Sequence, residues 1–77
     1  MARLIIRVVD KDSGSPIAFV GVAVDGLVQL TDKHGVAEFD VPPGEYTVRC
    51  KPPFYEPATM RVRAPGEYVI ELRPVRL

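Results

Sequence analysis

Thr31–Val48, TDKHGVAEFDVPPGEYTV, decides how this chain is read. Between Gly35 and Pro42, Ala37, Phe39 and Val41 alternate with Glu38 and Asp40, the period of a strand with one face on a core. Beyond the break, Tyr46, Val48 and Cys50 alternate with Thr47 and Arg49. Pro42-Pro43-Gly44 makes the break, since neither proline can donate to a ladder and Gly44 can adopt the positive φ of a reversal. The stretch predicts two strands forming a hairpin, with a polar Thr31–Gly35 tip ahead of them.

The same reading extends in both directions. Upstream, Leu27–Leu30 is a short strand returning from Asp25-Gly26, a strong signal for a two-residue type I′ hairpin. Ile17–Val24 is rich in β-branched residues and apolar on both parities, which predicts an interior strand, with Gly21 marking a bulge or close approach. Asp10–Pro16, DKDSGSP, is a loop, and residues 3–9, RLIIRVV, form a first strand with Leu4, Ile6 and Val8 inward. Downstream, Lys51–Pro57 holds three prolines and predicts a stiff extended loop. Thr59–Ala64 and Tyr68–Leu72 are two further alternating strands around Pro65-Gly66, and Pro74 ends the pattern. No stretch has a capped helical period. The fold class expected is all-β, a seven-stranded antiparallel Greek-key β-sandwich, with a small closed barrel as the alternative. Its core is expected to hold Leu4, Ile6, Val8, Val20, Val22, Val24, Ala37, Phe39, Tyr46, Val48, Met60, Val62, Ile70 and Leu72.

Seventy-seven residues make a single domain with a small core, and ten basic residues balance ten acidic ones. Global charge therefore selects no nucleic acid or membrane surface. No apolar run is long enough to span a bilayer, and residues 1–9 interleave two arginines with apolar residues instead of forming a signal-peptide core. The expectation is a soluble chain whose compartment is not encoded. One cysteine permits no internal disulfide, and Cys50 at an inward parity reads as an inert core residue. The absence of Asn, the single Gln and eight prolines match the composition of heat-adapted proteins, so a thermostable domain is expected.

Four elements in order carry a family resemblance: G-x-P-I at Gly14–Ile17, T-D-x-x-G at Thr31–Gly35, P-x-G-x-Y-x-V at Pro42–Val48, and an aromatic at Tyr55. Over roughly residues 4–73 the chain resembles the carboxypeptidase regulatory-like domain of the prealbumin-like (transthyretin-like) sandwiches. Its second half, DG followed by PPGEYTV, is similar to PEGA-type surface modules. The resemblance implies a prealbumin-like sandwich serving as an accessory or linking module. The chain departs from several relatives. Collagen-adhesin B-type sandwiches can carry a lysine-to-asparagine isopeptide bond, which a chain without Asn cannot form, and Lys11, Lys33 and Lys51 fall in or beside loops. Starch-binding sandwiches stack sugars on tryptophan, and there is none. Transthyretin-related hydrolases of purine breakdown need several histidines and an arginine, whereas this chain has only His34.

No nucleophile, base and orienting group converge in the sequence, so the expectation is a chain that is not an enzyme and needs no metal or cofactor. The rival reading is a small hydrolase using His34. His34 reads as a turn residue beside Asp32, and Asp10, Asp12 and Ser13 lack the spacing of a calcium loop, so Asx turns are expected instead. Of Phe54 and Tyr55, one should tuck into the core and the other stand exposed as an anchor for a peptide, a carbohydrate or a second subunit. Charge is uneven: residues 10–45 hold seven acids and two lysines, residues 46–77 six basic residues and three acids. Arg3, Arg7, Arg49, Arg61, Arg63 and Arg73 share outward parities, which predicts an arginine lattice if their strands share one sheet. It would serve for cross-strand pairing and edge protection, or for docking an acidic partner, with nucleic acid less favoured. Self-association is expected through the edge of the last strand, Glu67–Arg73, with Val69 outward and Arg61 and Arg63 reaching Glu71 of a neighbouring copy. The function expected is protein–protein contact or self-assembly, with Phe54, Tyr55, Arg61, Arg63, Val69 and Arg73 as the partner-binding residues.

Overall fold

A computed structural model describes residues 1–76. Seven strands form two facing sheets: β1 (Ala2–Asp10), β2 (Gly21–Val24), β3 (Leu27–Leu30), β4 (Val36–Val41), β5 (Gly44–Cys50), β6 (Ala58–Ala64) and β7 (Gly66–Leu72). One sheet has the order β4-β1-β7 and the other β3-β2-β5-β6. Every pairing is antiparallel except β1 with β7, which runs parallel from Leu4 opposite Gly66 to Asp10 opposite Leu72. The all-β sandwich read from the sequence is thus present, with one parallel pair added. No helix among the described residues is long and apolar enough to cross a membrane.

The inward parities make the core. Leu4, Ile6, Val8, Val22, Val24, Ala37, Phe39, Val48, Val62, Ile70 and Leu72 are all buried, as expected. Val20, Tyr46 and Met60 are only partly buried, packed against its margin, while Ala2, Val41, Cys50 and Ala64 complete it. Burying Phe39 in so small a core should make Phe39→Ala cost about 3–5 kcal/mol. Lys11, Lys33 and Lys51 are exposed, so none lies on an inward strand position.

Three expectations are corrected. The first concerns β4 and β5, which do not form a hairpin: β4 pairs with β1 and β5 with β2 and β6, so Pro42-Pro43 is a corner between sheets. A second corner joins β6 to β7 across a cis Ala64–Pro65 bond, and both corners read Pro-Gly-Glu-Tyr, at 43–46 and at 65–68. Each tyrosine closes its own corner. The Tyr46 hydroxyl donates to the Pro42 carbonyl at 2.6 Å, and the Tyr68 hydroxyl accepts the Arg63 N–H at 3.0 Å.

The second correction shortens the strand expected over Ile17–Val24. Only Gly21–Val24 is a strand, because Thr31, buried after β3, draws the preceding backbone aside. Its hydroxyl donates to the Ile17 carbonyl at 2.8 Å and accepts the Val20 N–H at 3.0 Å. Phe19 between them is turned to φ 58°. The third correction splits the arginine lattice. Arg3 and Arg7 stand on β1 in one sheet, with Arg3 opposite Asp40, while Arg49, Arg61 and Arg63 stand on β5 and β6 in the other.

Candidate binding surface

The strand directions divide the molecule into two ends. Tight turns and corners at 25–26, 42–43 and 64–65 make one end, and the longer loops 11–20, 31–35, 51–57 and the tail 73–76 make the other. At the loop end, side chains and backbone groups far apart in sequence tie the loops together. Asp10 accepts the Asp12 and Ser13 N–H groups on Oδ1 at 2.8 and 3.1 Å, forming the expected Asx turn. Its Oδ2 accepts the Tyr55 hydroxyl at 3.0 Å. The Ser13 N–H, with the Tyr55 hydroxyl and the Asp12 N–H, holds the Asp10 carboxyl below the usual carboxylate range, and the same bond raises Tyr55. Asp32 likewise accepts the His34 and Val36 N–H groups at 2.8 and 3.0 Å. Those donors, Val36 foremost, lower its carboxyl too. Through its N–H, His34 belongs to this turn.

Gly35 explains the glycine of the T-D-x-x-G element. It stands at φ 77°, and a Cβ there would lie 2.7 Å from the Val8 carbonyl oxygen and 2.9 Å from Pro16 Cβ. Only glycine lets the 31–35 loop approach β1, where the Gly35 carbonyl accepts the Val8 N–H at 2.8 Å.

Phe54 and Tyr55 divide as the sequence suggests. Tyr55 packs against the core and is pinned to Asp10, while Phe54 is 84% exposed at φ 69°. Two backbone bonds lock their loop to the tail. The Glu56 N–H donates to the Arg73 carbonyl and the Val75 N–H to the Phe54 carbonyl, each at 2.9 Å. Arg73 Nε lies 3.9 Å from Glu56 Oε2, and Val75 is exposed next to this seam. So Phe54, Tyr55 and Arg73 come together.

Arg61 and Arg63 lie elsewhere, at the turn end, where both grip one carboxylate of their own chain. Arg61 reaches Glu45 Oε2 at 3.0 Å and Arg63 reaches Oε1 at 2.7 Å, all three side chains being more than half exposed. Exposed pairs of this kind contribute about 0–1 kcal/mol each. With Val62 and Tyr68 they line an open cleft of about 230 Å³ carrying one excess positive charge. Within the chain both arginines thus share one partner, Glu45. Val69 stands 52% exposed on the outer face of β7, beside Ile5, Arg7 and Glu67 in a depression of about 150 Å³. The six candidate residues therefore fall in three places.

Sequence reasoning missed Phe19, which is 70% exposed at a positive φ, because the pull of Thr31 on residues 17–20 acts across eleven or more positions. It also missed Tyr68, although the repeated Pro-Gly-Glu-Tyr tetrad was a usable signal. Cys50 is buried, its thiol contacts the Gly21 carbonyl at 3.4 Å, and burial raises its pKa, consistent with an inert role.

No family model matches the chain, and no curated protein matches it. Among solved structures, 5-hydroxyisourate hydrolase from Klebsiella pneumoniae superposes with a TM-score of 0.69 over 99% of this chain and 93% of that one, at 17% identity. The expectation that this chain is not an enzyme is thereby corrected, because a similar structure over its whole length is an enzyme. What the likeness establishes is the architecture: the chain has the transthyretin-like, or prealbumin, fold.

Proposed function

We propose that this chain is a protein-interaction module of the carboxypeptidase regulatory-like branch of its fold, with the Phe54 end as its docking element. The observation that carries this reading is a large aromatic, 84% exposed, on a backbone held at φ 69°. Holding a non-glycine residue there costs about 1–3 kcal/mol, offset here by the ties of Tyr55, Glu56 and Val75 to the rest of the loop end. A backbone fixed in advance loses little freedom on binding, and with Val75 and the Arg73–Glu56 pair beside Phe54 the patch has an apolar centre and an ionic rim. Panning a phage-displayed peptide library against the immobilised chain tests this. Apolar peptides should be enriched, and Phe54→Ala should weaken them about thirtyfold, the effect of losing a hot spot worth about 2 kcal/mol. Enriched peptides that bind Phe54→Ala unchanged would overturn it. A glycan array on the same two proteins addresses the carbohydrate alternative, which Phe54-dependent sugar binding would establish.

A second reading, hydrolysis of a small ring substrate, is favoured by the likeness to 5-hydroxyisourate hydrolase. The Glu45–Arg61–Arg63–Tyr68 cleft offers guanidinium groups to a developing oxyanion. The only histidine, His34, lies at the opposite end of the sandwich. Loss of 5-hydroxyisourate followed by absorbance would support this reading if it exceeds the uncatalysed rate and vanishes in Arg61→Ala. Loss of the activity in His34→Ala instead would move the site to the loop end.

A further inference from the structure

β3 is unlike the other three sheet edges. β4 carries Glu38 and Asp40, β6 carries Arg61 and Arg63, and β7 carries Glu67 and Glu71, so each outer edge has repeated charge of one sign. When such an edge meets its own copy, like charges come into register and repel. β3 reads Leu27-Val28-Gln29-Leu30, has no charge, and is exposed at all four residues. Leu27, Val28 and Leu30 are 54%, 64% and 64% exposed. Val28 leans over Gly21 of β2, 3.7 Å from where a Cβ would sit, which continues the apolar surface inward across the sheet.

The backbone of this edge is poised to pair. Thr31 directs its N–H to the Val20 carbonyl and its carbonyl to the Phe19 N–H, both on the β2 side. By the alternation of an antiparallel ladder, Gln29 and Leu27 also face β2, and Val28 and Leu30 offer their N–H and C=O groups to the open side.

We propose that β3 is a homodimer interface: two copies pair β3 to β3 antiparallel about a two-fold axis, joining their four-stranded sheets into one of eight strands. The register that keeps core faces on one side and mates the open backbone groups places Val28 opposite Leu30 of the second copy, and Gln29 opposite Gln29. It forms four backbone hydrogen bonds and sets apolar side chain on apolar side chain twice. Burying these exposed surfaces removes roughly 800–1,000 Å² in total, the size of weak, reversible interfaces, so the pairing depends on concentration. This surface is separate from the Phe54 end, and either can hold without the other.

Sedimentation equilibrium from 10 μM to 1 mM tests the interface, with circular dichroism confirming the fold of each variant. The wild-type chain should move from monomer to dimer across that range. Val28→Glu with Leu30→Glu, both at exposed positions, should weaken association at least tenfold by facing carboxylate with carboxylate, and Val69→Lys should leave it unchanged. Gln29→Cys supplies an independent measure of register. Opposed residues of a non-hydrogen-bonded pair have Cα atoms about 4.5 Å apart, within disulfide reach, so a covalent dimer should form in air while the wild type, with Cys50 buried, stays unlinked. A monomer mass up to 1 mM, association indifferent to the two glutamates, dissociation by Val69→Lys, or a Gln29→Cys chain that stays unlinked would each overturn the proposal.

Discussion

The two ends of the sandwich are built by different means. At the turn end, Asp25-Gly26 and the two Pro-Gly-Glu-Tyr corners reverse the chain with residues adjacent in sequence, and each tyrosine reaches back only four or five positions. At the loop end, Asp10 meets Tyr55 across 45 positions and Thr31 meets Ile17 across 14. The turn end reverses the chain by local stereochemistry, its longer ties being Asp25 to Thr47 and the exposed pairs of Glu45 with Arg61 and Arg63, whereas the loops of the other end are placed by tertiary ties. At the loop end such ties hold an aromatic, Phe54, out in solvent at an unfavourable φ, the strain being balanced by bonds made elsewhere.

The sharpest break of this comparison uses two glycines at positive φ. Gly35→Ala at the loop end drives a Cβ into backbone and should cost at least about 3 kcal/mol, whereas Gly26→Ala at the turn end, with open space around it, should cost about 1 kcal/mol. Urea midpoints of the two variants give the difference directly. Equal losses would mean that the 31–35 loop is free to move away from β1.

Next in size is Thr31→Val, which keeps the shape of a buried side chain but removes both of its hydrogen bonds. About 2 kcal/mol should be lost, and Phe19 should become mobile in amide exchange. Acid then separates the ends by pH. Asp10 and Asp32 have carboxyls lowered by loop-end N–H donors, so their contribution is present above the unfolded value of about 3.9 and is lost as pH falls through the lowered folded values. Thermal midpoints followed downward from pH 5 should fall less steeply for Asp10→Asn with Asp32→Asn than for the wild type. Identical slopes would show that these Asx turns add nothing to stability. The smallest effect is expected at the corners: Tyr46→Phe and Tyr68→Phe each remove an exposed hydroxyl bond and should cost about 0.5–1 kcal/mol in the same melts.

The alternation of Leu4, Ile6 and Val8, or of Ala37, Phe39 and Val41, made the strands and most of the core legible, because period two is written in adjacent residues. What escaped is what depends on partners. The kink at Phe19 needs Thr31, the separation of β4 from β5 needs a choice of sheet that Pro42-Pro43-Gly44 permits without dictating, and the division of the arginines follows from that choice. In the candidate site, the split between a tucked Tyr55 and a displayed Phe54 was readable from their setting among prolines, although which one tucks was decided by Asp10, far upstream. The bareness of the β3 edge lay open in Leu27–Leu30 but acquires meaning only once the sheet order makes it an edge.

The placement of β1 governs how the chain can be made. It is the central strand of its sheet, with β4 on one side and β7, some sixty residues later, on the other. A ribosome therefore releases the centre of that sheet some sixty residues ahead of the strand that becomes its parallel neighbour. Until Leu72 has emerged, one whole side of β1 has no native partner, so its three-stranded sheet stays incomplete. Such distant pairing places folding among the slower small domains, in milliseconds to seconds, and makes the final strand the one whose arrival completes the fold.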